Sequence, residues 1–182
     1  MNKKGFTLIE ALVAIAIVAL AIGGPLYSAS RSLVAAQLSR DRLVALYLAQ
    51  EALEQARYLR DTAYLDAYKD GDTTGAWNKF LTDHLVPCYT PQVCTVEPAS
   101  HTLRSYDESA ALPKLSVNTA TGQYVQAATG EPPSPFTRTL QVVNVSSEEG
   151  GPQDKELAAT TAWTFHGTPY SVTVTSHLTA WQ

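Results

Sequence analysis

Glu10 is the residue whose position most needs a chemical explanation. It lies inside an apolar run that opens at Phe6 and continues to Leu26, and no lysine or arginine occurs between Phe6 and Ser30. An ionisable side chain in the middle of a membrane helix costs about 2.5–3.5 kcal/mol on insertion scales, and it usually has a function and a partner. The segment supplies no cation of its own. The partner must therefore come from another molecule or from a newly made amino terminus.

The other chemistry-bearing residues are dispersed. The two cysteines, Cys88 and Cys94, have five residues between them. Outside the cytoplasm such a pair joins as a disulfide; the alternative is two separate small buried residues. A zinc site needs four ligands, and no second pair exists. The histidines His84, His101, His166 and His177 show no metal-helix spacing and read as surface or turn residues. Asp70-Gly71-Asp72-Thr73-Thr74-Gly75 lacks the acidic spacing of a calcium loop and reads as a polar turn. No phosphate-binding glycine loop, dinucleotide fingerprint or nucleophile elbow is present. The expectation is no catalytic residue, no cofactor and no metal. The net charge is −4, and past Arg60 the basic residues Lys69, Lys79, Arg104, Lys114, Arg138 and Lys155 are scattered, so no nucleic acid is expected as a partner.

The element that must position Glu10 is a helix. At 1.5 Å per residue, the stretch from Phe6 to Leu26 reaches about 30 Å, enough to span a bilayer core. Lys3 and Lys4 precede it and hold the short leader in the cytoplasm, which sends the bulk of the chain outside. A secretory signal peptide would instead be cut after its apolar core, where Ala21, Ile22 and Gly23 offer a site. Against that, the apolar run starts directly after the leader, and a carboxylate sits within it.

Gly5-Phe6-Thr7-Leu8-Ile9-Glu10 resembles the prepilin signature of type IV pilins and type II secretion pseudopilins. The resemblance implies that a prepilin peptidase cuts between Gly5 and Phe6 and N-methylates Phe6. Glu10 would then neutralise the new amine of a neighbouring subunit during assembly. A charge pair inside an apolar filament core serves registry more than stability. The implied partners are the prepilin peptidase, other pilin or pseudopilin subunits, the inner-membrane assembly platform and, before assembly, the lipid bilayer. The implied location is a single-pass inner-membrane protein with its C-terminal domain outside the cytoplasm, and later a pilus or pseudopilus in the periplasm or at the cell surface.

Beyond the anchor, Gly23, Gly24 and Pro25 predict a helix break; the resemblance implies a kink there, or melting in the filament. Residues 27–61 form the amphipathic half, with Leu38, Ala45, Leu48, Ala49, Ala52, Ala56 and Leu59 on one face. Arg40, Arg42, Glu51, Glu54 and Arg57 take other faces, with Glu54 and Arg57 spaced to pair. Residues 62–135 read as irregular, with a short helix over 76–85 and short strands at 95–97, 114–117 and 123–126. Residues 136–182 read as an antiparallel meander of strands 136–145, 157–165 and 170–178, with Tyr170, Val172 and Val174 on one face. The sheet needs a cover for its apolar face, and the amphipathic half-helix is the one sizeable candidate. The fold class is α+β, a pilin fold: a long N-terminal helix packed on a C-terminal antiparallel sheet.

Tyr47-Leu48-Ala49-Gln50-Glu51-Ala52-Leu53-Glu54 resembles the helix of PilV-type minor pilins and of the minor pseudopilin I of type II secretion. The Phe136-Thr137-Arg138 start and the Trp-ended C-terminus are also similar to PilV-type chains. The functional expectation is a structural minor pilin of a type IV pilus, in its tip or initiation complex. The alternatives are a minor pseudopilin of a type II secretion system and, from another class, a pilus-tip adhesin or a DNA-uptake binding module.

Overall fold

The computed structural model describes residues 5, 7–106, 112–126, 130–144 and 154–180. The chain divides into two compact units, Met1–Asp41 and Arg42–Gln182.

Helix α1, Leu8–Lys69, begins in the first unit and ends in the second. Its start is capped by Thr7. The Glu10 N–H donates to the Thr7 carbonyl (3.1 Å) and to Thr7 Oγ1 (3.4 Å), and the Ala11 N–H donates to the same carbonyl (3.2 Å). The expected interruption at Gly23, Gly24 and Pro25 is a point of difference: the helix continues through all three. Proline removes one N–H, so the Ala21 carbonyl loses its usual donor. Alanine and leucine recur in the turns on either side and carry the helix across that gap.

The helix also runs on past residue 61, and Gly71 ends it. With φ +81°, Gly71 takes the left-handed conformation in which the Gly71 N–H reaches the Tyr68 carbonyl (3.1 Å) and the Asp72 N–H reaches the Ala67 carbonyl (3.1 Å). This is a Schellman closure, and it satisfies carbonyls the last turn would otherwise leave open.

In the second unit α1 buries one stripe: Ala45, Leu48, Ala49, Ala52, Leu53, Gln55, Ala56 and Leu59. The four alanines are fully buried, which lets the backbone lie close to the sheet beneath. Helix α2, Ala76–Phe80, continues into a π-helical turn, Leu81–Leu85, and a 3-10 turn, Val86–Cys88. It delivers Trp77, Phe80, Leu85 and Cys88 to the same core.

The sheet is larger than the expected meander. Strands β1 (Val93–Glu97), β2 (Thr102–Tyr106), β5 (Thr137–Asn144), β6 (Asp154–Phe165) and β7 (Thr168–Thr179) form one five-stranded antiparallel sheet in the order β2-β1-β5-β6-β7. Two of its strands come from residues 62–135: β1 extends the short strand expected at 95–97, and β2 lies where none was expected. Strand β1 joins β5 at Cys94 and Leu140, and its first four residues are all buried. Three strands would leave the α2 side of the core uncovered; β1 and β2 cover it. Strands β3 (Leu115–Val117) and β4 (Tyr124–Gln126) make a separate hairpin. Residue 145, expected to close β5, lies outside the described residues.

Cys88 and Cys94 are joined in a disulfide with Cα atoms 5.1 Å apart, and both are fully buried. The link ties the 3-10 turn to β1, and the Thr90–Pro91 peptide within it is cis. The β6–β7 hairpin turns on His166 (φ 48°) and Gly167 (φ 81°), the positive pair that a two-residue turn between right-twisted strands requires.

Candidate functional site

The candidate site is the first turn of α1. Around it the helix is apolar on every side. Leu8, Ile9, Leu12, Val13, Ile15, Ile17, Val18, Leu20 and Ile22 all stand exposed. In a water-soluble domain such a surface would be buried; left bare all round, it fits a membrane or an apolar filament interior. By length and composition the helix can cross a membrane.

Glu10 sits within this surface, exposed, at the third position of the helix. The unpaired N–H groups and the dipole of a helix start favour a carboxylate there. Thr7-Leu8-Ile9-Glu10 is also a capping-box sequence, with the Thr7 hydroxyl accepting from the Glu10 N–H. The signal for this cap in the sequence is the Thr-x-x-Glu spacing itself. Glu10 takes part in none of the ion pairs among the described residues. Gly5 is exposed with open space around it. Phe6 lies outside the described residues.

The remaining sequence candidates lie in the second unit. The Asp72 carboxylate accepts hydrogen bonds from the Thr74 hydroxyl (2.5 Å) and the Thr74 N–H (2.9 Å), a closed polar turn. These bonds hold Asp72 below its ordinary 3.8. His101 stacks on Tyr58 (4.3 Å between rings) and bonds Gln55 (2.9 Å), tying the β1–β2 turn to α1. His177 meets Asp154 (2.9 Å) across β6 and β7.

Arg138 is one of the scattered basic residues past Arg60 and lies in strand β5. Its side chain is fully buried beneath α1. It pairs with Glu51 and donates to the carbonyls of Leu48 (3.4 Å) and Val96 (2.9 Å). The available signal was its place in the alternation of β5, on the same face as Leu140 and Val142.

Residues 1–24 match the family model for the prokaryotic N-terminal methylation motif. No curated protein and no solved structure matches the chain. The motif, the bare apolar helix behind it and the α+β helix-on-sheet domain together support a type IV pilin-like family. The motif implies processing by a prepilin peptidase and assembly with other pilins. Motif and helix together fit a single-pass inner-membrane protein.

Proposed function

We propose that this chain is a structural minor pilin. The peptidase releases residues 1–5, Phe6 becomes the methylated first residue, and Glu10 pairs with the amine of a neighbouring subunit in the filament. The observation that carries this reading is Glu10 itself: an exposed carboxylate in the capped first turn of a helix whose side chains from Leu8 to Ile22 are otherwise hydrocarbon. A terminal amine, with an ordinary pKa near 8, is cationic at neutral pH and supplies the missing charge. The glycine pair and proline at 23–25 are the weakest stretch of the helix, and we assign to them the place where it opens on assembly. The low-copy role is supported by the small disulfide loop inside the domain, in place of a large C-terminal one, and by the likeness of the 47–54 segment to minor pilins.

The test is Glu10→Gln in cells making the filament. The variant should still be cleaved and methylated, and its incorporation should fall by more than about tenfold, as expected when one partner of a buried charge pair is removed. Unchanged incorporation would refute the pairing role. Immunogold labelling should show sparse or terminal sites; uniform staining along the shaft would contradict a minor role.

A further inference from the structure

The two edges of the main sheet are unlike. Strand β2 is five residues long and carries Arg104, the usual protections of a sheet edge. Strand β7 is twelve residues long, without a lysine, arginine, aspartate or glutamate, and pairs with β6 in unbroken register from Phe165–Thr168 to Asp154–Thr179. Its one proline, Pro169, stands at the second position. Among the described residues no strand pairs with its other side. A long edge without Lys, Arg, Asp or Glu leaves a row of outward N–H and C=O groups; the Thr179 carbonyl at its end accepts from Arg60 (3.1 Å), and the row before it is a template for another strand.

A second feature lies beside that edge. Between the exposed flank of α1 and β7 runs a groove of about 550 Å³, lined by Tyr47, Gln50, Glu54, Arg57, Val174 and Ser176. Val174 packs on the core yet stays only half-buried. Arg57 donates to the Ser176 hydroxyl (2.7 Å) across this groove, and side chains from an added strand would project into the space that remains.

We propose that β7 is a β-augmentation site for an extended strand from a different pilin-type subunit. This deepens the assembly reading above and rests on it. The recognising chemistry is main-chain hydrogen bonding along β7, with hydrogen-bonding side chains of moderate size entering the groove beside Glu54 and Arg57. A second copy fits less well. The two-fold axis that pairs β7 with itself also reverses the outer half of α1, whereas subunits held in one membrane by the same kind of anchor share one polarity. Pairing β7 with the β2 of another copy would place Arg104 on a strand less than half as long.

The test is amide hydrogen exchange on the full chain in detergent, alone and co-purified with the other pilin-type subunits of its system. In the isolated chain, the alternate β7 amides not bonded to β6 should exchange fast. In the complex they should slow by about tenfold or more. Slow exchange already in the isolated chain, or fast exchange persisting in the complex, overturns the proposal. Absence of any complex would also overturn it, but as a failure of the assembly reading, and it is recognised separately by the lack of co-purification. Ser171→Lys with Thr175→Lys should reduce co-purification by about tenfold without changing the melting temperature. Ser105→Lys, on the other edge, should leave both unchanged; equal effects at the two edges would count against β7.

Discussion

Arg138 and Glu51 form an ion pair between β5 and α1 in which the arginine side chain is fully buried and the glutamate is 43% exposed. With its bonds to the Leu48 and Val96 carbonyls, the guanidinium joins the helix to two strands at once. Removal of the two partners should therefore have unequal effects. Glu51→Ala leaves a cation stranded in the core and should destabilise the domain by about 2–3 kcal/mol, less than breaking a fully buried pair because Glu51 already meets water. Arg138→Met leaves a carboxylate that can hydrate, and it should cost less. Chemical denaturation of both variants reads the difference; a Glu51→Ala effect below that of Arg138→Met would contradict the account.

The alanine stripe gives a second prediction. Ala49 and Ala52 are fully buried where α1 rests on the sheet. Ala52→Leu inserts a larger side chain into closed space and should destabilise by about 1–3 kcal/mol. Gln50→Leu, on the exposed face, should change stability by less than about 0.5 kcal/mol. Thermal melts of the two variants compare them directly; equal stability would mean that the helix does not lie close to the sheet.

The Cys88–Cys94 loop is short, so its entropic stabilisation should be about 2 kcal/mol. The double variant Cys88→Ala, Cys94→Ala should melt lower and lose amide protection first around the 3-10 turn and β1. Protection lost first in β6 and β7 would place the constraint elsewhere.

Asp72 gives a pH prediction. Its folded-state pKa lies below the ordinary 3.8 because Thr74 hydrogen-bonds the charged form. The turn's contribution is therefore present above 3.8 and is lost as pH falls through the lowered value. An NMR titration should place the Asp72 midpoint below 3.8, and Thr74→Ala should raise it by removing the hydroxyl donor. A midpoint at or above 3.8 in the parent chain would contradict the turn geometry.

Much of this was legible in the sequence because its signals are periodic or conspicuous. Glu10 stood out against a hydrocarbon background, and the spacing of Ala45, Ala49, Ala52 and Ala56 marked the face that α1 buries. Strands β5 to β7 alternate strongly enough to be read in place. What escaped detection depends on distant partners. Strand β2 turns only Leu103 and the half-buried Tyr106 away from solvent, too little for a pattern. The place of β1 in the sheet rests on Leu140, 46 residues away from Cys94. The charge of Arg138 gives no sign of burial by itself; its partners, Glu51 and the Leu48 carbonyl, come from the helix above it. The helix ran past 61 because the mixed residues after Asp61 still propagate it until Gly71 supplies the left-handed turn.

The central claim is that Gly5–Phe6 is the processing point that gives Glu10 its partner. Mass spectrometry of the mature N-terminus, from cells with and without the prepilin peptidase, tests it most directly. The account predicts a chain that begins at N-methyl-Phe6 when the peptidase is present and retains residues 1–5 when it is absent. A mature chain beginning near Gly24 in both strains would contradict it, since Glu10 would then have been removed with the leader.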